Sequence, residues 1–315
     1  VTDGILQTVT IPPTVGTAQP VFNIGQLKNS GLEVEVGYNG NLGPFTYGIS
    51  GNISFLRNEV TELYDDIPLT TNFGRVEEGR PIGHIWGYRL GGIFQSQDEI
   101  DAYYANSPDN TIGGNSAYVR PGDMYFLDVH GDPTEEERFY SKTPDGKIND
   151  YDMTEIGQTI PGHTYGVNLN AGFKGFDLNL SFYGEGDVDK VNQARQRLEA
   201  MTGSGLNQST KVLDRWTPEN PSTTMPRAIY GDPAGNNRFS SRWVERAGFF
   251  RLNTWQLGYS LPSTLLDKTG GVVSRFRVYV GGQNNILITR WTTLDPVNDD
   301  YPLPKSYFVG LNLTF

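Results

Sequence analysis

The chain has 315 residues, a formal net charge of −11, three histidines and no cysteine. The missing cysteines exclude disulfide frameworks, Cys-ligated zinc and thiol nucleophiles, and the acidic balance argues against a nucleic-acid binder that works by phosphate neutralisation. Mean hydropathy is −0.45 and no run of ~18 apolar residues occurs, so no transmembrane helix is expected, although a barrel strand needs only ~9–11 residues and hides half of them from lipid.

Residues 1–12 lack a basic segment, an apolar core and a small-residue cleavage site, so they do not read as a signal peptide. They begin inside a strand-like pattern, and the expectation is that the chain is part of a longer protein. Alternation is then the clearest signal. Leu32, Val34, Val36 and Tyr38 alternate with Glu33, Glu35 and Gly37. After a turn at 39–44, Phe45, Tyr47, Ile49, Ile53 and Phe55 alternate with Thr46, Gly48, Ser50, Asn52 and Ser54. A hairpin follows at 163–186, with Tyr165, Val167, Leu169, Ala171 and Phe173 on one face before Lys174-Gly175, and Phe176, Leu178, Leu180 and Phe182 after it. The stretch 249–260 is less regular, which a bulge or a register change near Asn253 explains. Phe276, Val278 and Val280 alternate near the end, and Tyr307, Val309, Leu311, Leu313 and Phe315 close the chain.

Two architectures put an apolar face on long alternating strands. A soluble sandwich turns it to a dry core. A membrane barrel turns it to lipid and keeps the polar face inside. The Gly/Asn/Ser/Thr-rich opposite faces favour the barrel, with Glu33, Glu35, Arg275 and Arg277 suited to a wet lumen. So do aromatics at strand ends (Tyr38, Phe45, Tyr165, Phe173, Phe176, Phe182, Tyr183, Tyr259, Tyr307), placed as an interfacial girdle.

Short turns at 39–44 and 174–175, and a longer one at 261–273, then belong to the periplasmic side. Strands at 2–12, 27–39, 44–57, 163–174, 176–186, 247–260, 274–288 and 305–315 alternate up and down consistently. The segments 13–26, 58–162, 187–246 and 289–304 become extracellular. The strand-like 82–95 would break the parity as a ninth crossing, so it is placed, with 121–128, inside the long loop 58–162. Helices are predicted at 97–106 and 188–201.

In this order the residues resemble the C-terminal part of SusC/RagA-type TonB-dependent outer-membrane transporters of Bacteroidetes. The matching stretches are 27–33 (LKNSGLE), 79–83 (GRPIG), 86–88 (WGY), 92–95 (GIFQ), 121–123 (PGD), 164–166 with 174–178, and 215–221 (RWTPENP). Further on come 250–252, 257–262 (LGYSLP), 282–284, 294–296 and the final 309–315. The resemblance covers nearly the whole chain. It implies an all-β fold: a portion, about eight spanning strands, of a transmembrane antiparallel barrel of about 22 strands, with 58–162 and 187–246 as long extracellular loops. The family's plug domain and TonB box are not recognisable within residues 1–315. It further implies an integral outer-membrane protein of a Gram-negative bacterium that imports oligosaccharides or peptides. A SusD-like surface lipoprotein would cover its mouth and TonB would energise it through the part outside this chain. The terminal Phe315 resembles a signal for barrel assembly. A lone closed barrel of eight strands would leave no space for a plug. The competing reading is a soluble or surface β-sandwich that binds carbohydrate.

Candidate chemistry is sparse. Asp128, Asp132, Asp145, Asn149 and Asp152 alternate with other residues around glycines, as oxygens do in a Ca²⁺ loop. Family members carry a similar unbroken stretch, whereas here His130 replaces an expected Asn and residues 133–144 interrupt it. A solvated acidic turn has the same composition. Trp86 and Trp216, in the long loops, are candidates for stacking on a ligand, and Trp also serves as loop packing or girdle. His84, His130 and His163 lack a Ser or Cys at a convincing spacing. Glu135–Glu137 and Asp98-Glu99 read as solvated charge runs rather than a glycosidase pair. The Gly-Gly-Gln-Asn-Asn at 281–285 lacks the Lys-Ser/Thr of a phosphate loop. No enzymatic activity is expected.

Overall fold

A computed structural model describes residues 2–8, 21–106, 118–203 and 205–315. In chain order the strands are β1 (Thr2–Thr8), β2 (Val21–Leu42), β3 (Phe45–Glu62), β4 (Leu69–Thr70), β5 (Arg75–Val76), β6 (His84–Tyr88) and β7 (Leu90–Ile93). Helix α1 (Gln97–Asn106) precedes β8 (Met124–Phe126), β9 (Met153–Gln158), β10 (His163–Phe173), β11 (Phe176–Gly186) and β12 (Asp189–Val191). After α2 (Gln193–Glu199) come β13 (Val244–Arg246), β14 (Phe249–Ser260), α3 (Ser263–Leu266), β15 (Arg275–Thr289) and β16 (Ser306–Thr314).

Eight of these make one antiparallel sheet in the order β1-β2-β3-β10-β11-β14-β15-β16. The strands expected from alternation correspond to these eight in that order, but the described β1 pairs only with Val21–Leu27 of β2, beyond the level of Leu32 and Phe55, so the wall among the described residues is made by the other seven. The register explains why one face is apolar throughout. Leu32 sits opposite Phe55, Val34 opposite Ile53 and Tyr38 opposite Ile49. Leu169 lies opposite both Ile49 and Leu180, Leu180 opposite Trp255, and Leu257 opposite Val280, which faces Val309. Because side chains alternate with period two, every one of these falls on the same side. Many stand exposed, Val36 by 67% and Val309 by 82%, while Ile53, Leu169, Leu180 and Trp255 are half-buried. No second sheet covers that face among the described residues, so a dry-cored sandwich is ruled out and the barrel wall stands.

Aromatic rings close the apolar band at both ends. Tyr38, Tyr47 and Phe45 are in ring contact near the short turns, as are Phe176 and Tyr259. Tyr165, Phe182 and Phe250 stack at the other end. From Tyr165 to Phe173 the strand rises roughly 26 Å, taking ~3.3 Å per residue, close to the ~25 Å of an outer-membrane apolar band. Tyr183 is a correction to the expected girdle. It lies opposite Gly166, on the polar face, and donates to Glu185 at 2.5 Å.

Several boundaries also move. β2 begins at Val21 and β3 runs to Glu62, so 21–26 and 58–62 are strand rather than loop. The first turn is the two residues between Leu42 and Phe45 rather than 39–44. β10 stops pairing with β3 at Phe55, and beyond that level β2 pairs with β3 as far as Gln26 and Glu62 and with β1 over Val21–Leu27. Leu27, Leu56 and Val60 are mixed there with polar residues without strict alternation, which hid it from an apolar-alternation reading; Asn58 donates to Asn29 at 2.6 Å. The expected strand 2–12 is described as Thr2–Thr8, and 9–20 lies outside the described residues. The helix predicted at 188–201 is shorter: Asn192 caps α2, accepting from Arg195 N at 2.8 Å, and the residues before it form β12. The helix at 97–106 has the predicted span.

Two local features follow from sequence chemistry. Lys174 and Gly175 both take positive φ (+48° and +90°), the geometry of a two-residue hairpin turn whose twist matches the flanking strands. Asn253 is skipped by both neighbours of β14, the irregularity expected there.

Candidate functional site

The described long connections leave the sheet at the end opposite the short turns, and there they fold together into a cap. β6 pairs with β9 and β7 with β8, away from the wall, as expected for 82–95 and 121–128. The cap is fastened by charge. Asp123 is 0% exposed and accepts from Arg227 Nε and Nη2 (2.7 and 2.8 Å), Asn236 Nδ2 (2.8 Å) and Arg120 N (2.9 Å). That joins the first long loop to the second. The second is joined to the third at Glu245, which accepts from Arg195 at 2.7 Å and from the Thr292 hydroxyl at 2.8 Å. Burial pushes the Glu245 carboxyl up, but the hydrogen bonds from Thr292, Asn192 and Arg195 outweigh it and hold it below its ordinary value. Arg242, buried beside Arg195 and Glu199, is pulled down by burial to about 10 and keeps its charge at neutral pH. Arg251 Nη2 donates to both oxygens of Asp295 at 2.7 and 2.9 Å, tying the last loop to β14.

The segments carrying the five expected oxygen donors are linked across the 133–144 insertion by side chain–backbone hydrogen bonds. Their oxygens are engaged by the chain itself. Asp152, 1% exposed, accepts from Val129 N, His130 N and Asn149 N; burial raises its pKa. Asp145 accepts from Asp132 N and Lys147 N, Asn149 from Tyr151 N, and Asp128 from Gly146 N. Lys147 donates to Asp132 at 2.7 Å and supplies a positive charge. One buried oxygen of the five, Asp128 Oδ1, has no partner. Ca²⁺ takes ~6–8 oxygens, so the donor set as folded does not fit the ion. No group of three or more His, Asp or Glu side chains is arranged for a metal among the described residues.

Trp86 is 6% exposed. Arg75 lies 4.7 Å over its ring, and His130 and Tyr140 lie within 6.3 and 5.7 Å. Its ring is therefore packing material in this arrangement. Trp216 is half-buried; it donates to Gln95 at 3.0 Å and lies flat on Gly122, where a Cβ would meet the indole at 2.5 Å. Gly122 also has φ +94°, so the Pro121-Gly122-Asp123 motif needs glycine twice over.

What the sequence reading missed is a groove of about 430 Å³ beside Trp86, lined by Arg75, Glu77 and Arg80 on one wall and Glu137, Arg138 and Tyr140 on the other. The insertion at 133–144 builds the second wall. Arg138 is anchored to Asp65 at 2.8 Å, and that guanidinium holds the Asp65 carboxyl below its usual value. Glu135–Glu137 is therefore more than a solvated run at its last member. No sequence signal joins residues so far apart, except that a charged insertion into a glycine-rich turn is unusual. Alternating cations, carboxylates and a phenol ring suit a polar or zwitterionic ligand, and they contain no nucleophile set up for bond breaking.

No family model matches the sequence. The chain is similar over its full length to TonB-dependent receptor P3 of Formosa agariphila, with 28% identity, and to TonB-dependent receptor P26 of the same organism, with 27%. It spans 31% and 32% of their lengths, about a third. Among solved structures, 99% of the chain superposes on 32% of a chain in the RagAB peptide transporter, with a TM-score of 0.76 and 24% identity. The RagAB peptide importer in its closed-closed state gives a TM-score of 0.77 and 23% identity. These relatives are receptors and transporters, not enzymes.

Proposed function

We propose, from the premise that the chain is a portion of a SusC/RagA-type TonB-dependent receptor barrel, that it forms part of the wall and outer mouth of a nutrient importer. The observation that carries this is the continuous exposed apolar face between two aromatic belts, backed by a polar face. A bilayer makes such a face stable, and exposed apolar patches of this extent are rare on soluble proteins. The membrane is the outer one, and the cap end faces outward. The cap, with 63–162 and 187–248 as its main loops, forms part of the ligand cavity and the seat for a SusD-like lipoprotein. The RagAB similarity favours peptides over oligosaccharides as cargo, and the mixed charges of the groove beside Trp86 agree with that. Energy arrives through TonB by way of segments outside this chain.

The test is uptake. Cells lacking the gene should lose import of labelled oligopeptides, and loss of TonB should abolish import in the same way. A lipoprotein should co-purify with the receptor. Extraction into detergent-free buffer as a monomer would sink the reading. Loss of oligosaccharide uptake instead would keep the importer and change its cargo.

A further inference from the structure

The two walls of the groove beside Trp86 come together at Arg75. The backbone fixes its place. Arg75 pairs with Thr70, Gly74 bridges to Ile85, and Trp86 N donates to the Phe73 carbonyl at 3.0 Å. The guanidinium carbon then lies 4.7 Å from the centre of the Trp86 ring and 5.1 Å from that of Tyr140. The two rings are 5.7 Å apart and tilted by 52°, so the cation rests in the angle between them, held by cation–π contact.

A guanidinium presents its donors on two forked edges. At the first, Arg75 Nε lies 2.9 Å from Glu77 Oε2, an ion pair too bent to be a hydrogen bond. At the second, neither Nη1 nor Nη2 donates a hydrogen bond among the described residues, and neither is sealed from solvent; Arg75 lines the groove there. Tyr140 adds an O–H. Burial and then Glu77 raise its pKa, so the phenol keeps its proton at neutral pH. Lys142, exposed on the groove's lining, forms no salt bridge among the described residues. The carboxylates of Glu77 and Glu137, on facing walls, repel a doubly charged group and leave room for a single negative charge.

We propose that Arg75 receives a carboxylate of the peptide cargo on its Nη1–Nη2 edge, with the Tyr140 hydroxyl as a further donor. The rings hold the fork in place beforehand, so little side-chain freedom is lost on binding. The matching group is planar, with two oxygens at the spacing of the fork. In a peptide it is either the chain terminus or an Asp or Glu side chain. The inference rests on the peptide-import reading.

The receptor containing this chain is purified in detergent, with any lipoprotein that accompanies it, and incubated with pools of synthetic decapeptides of random sequence. Mass spectrometry counts what is retained. The first pool has free C-termini, the second is C-terminally amidated, the third has Asn and Gln in place of Asp and Glu, and the fourth combines both changes. The expected result is retention of the first pool and a fall of roughly ten- to hundred-fold for the fourth, the worth of charge-assisted hydrogen bonds. A fall in the second pool assigns the chain terminus, and a fall in the third assigns the side chain. Arg75→Gln should bring the first pool down to the level of the fourth. Arg75→Lys, which keeps the charge without the fork, should recover only part, and Arg290→Gln, at an exposed cation outside the groove, should change nothing. Heat-modifiable migration and protease resistance verify that each variant keeps barrel and cap; should Arg75→Gln lose the cap, Arg75→Lys against the same pools decides. Equal retention of the first and fourth pools, or of the first pool by wild type and a folded Arg75 variant, overturns this inference alone and leaves peptide import standing. Retention of no pool overturns the peptide reading with it.

Discussion

Asp123 is the residue on which the cap turns. Its carboxyl has no solvent contact, and four donors from three separate segments converge on it. Truncating one member of a buried pair leaves the other charge uncompensated, at a cost of about 3–5 kcal/mol. Asp123→Ala is therefore expected to loosen the cap while sparing the wall: protease nicking within 118–240 rises and barrel migration is unchanged. Equal resistance in the variant would show that the carboxylate is dispensable. Glu245 makes a pH-dependent contribution with a definite sign. Its folded-state pKa is depressed, so the stability it adds is present above its ordinary 4.5 and is lost as pH falls through the depressed value. The gap between wild type and Glu245→Gln, followed by hydrogen exchange of β13, should be open at neutral pH and closed in acid. At the acidic ring, Lys147 and backbone N–H groups already occupy the carboxylates. Adding Ca²⁺ to metal-free protein is expected to leave the cap's thermal transition where it is; a saturable upward shift would assign Asp128, Asp132, Asp145, Asn149 and Asp152 to the ion after all.

Elements are where alternation becomes energy. β10 and β11 lie at the middle of the sheet, and Leu169 and Leu180 are direct partners halfway along the apolar band. A cation there would be driven into the bilayer midplane. Leu169→Arg and Leu180→Arg should each cost roughly 2–4 kcal/mol, measured by urea unfolding in lipid vesicles. The neighbouring Asn168→Arg, on the polar face, should cost far less. Equal costs on both faces would contradict the assignment of lipid to one side. The same elements show how far alternation can be read. It located the strands of the sheet and the irregularity at Asn253, because one face must be apolar along the bilayer's whole thickness. It failed where that demand stops. The extension above Phe55 is strand held by pairing with β1 and β3 and by contacts such as Asn58 to Asn29, and its mixture of apolar and polar residues leaves no periodic mark. β12 was taken as helix for a related reason: its three residues owe their conformation to pairing with β13, more than 50 positions away.

At the scale of the molecule, wall and cap are two kinds of structure built by different forces. The wall has little interior of its own and relies on lipid. The cap has small buried clusters, such as Tyr88 with Phe126 and Ile148, and Phe94 with Ile100 and Val119. It is otherwise bound by ion pairs between loops. Loops fastened by charge at a barrel mouth can hold a shape and still exchange partners, which suits the proposed role of meeting cargo and a lipoprotein. Weakening the cap through Asp123→Ala should then impair peptide uptake without removing the receptor from the membrane.

The sequence by itself determined the barrel wall, the direction of its strands, the tight turn at Lys174-Gly175, helix α1 and the kinship with TonB-dependent receptors. Each of these depends on local period, turn chemistry or residue order, which a linear chain displays. Only the tertiary structure decided that the calcium-like donors spend themselves on the backbone and Lys147, that Trp86 is enclosed, and that Asp123 meets Arg227. It also placed Arg75 opposite Tyr140 across a groove. Those outcomes depend on which distant residues share a neighbourhood, and in the cap no repeating pattern ties neighbourhood to sequence.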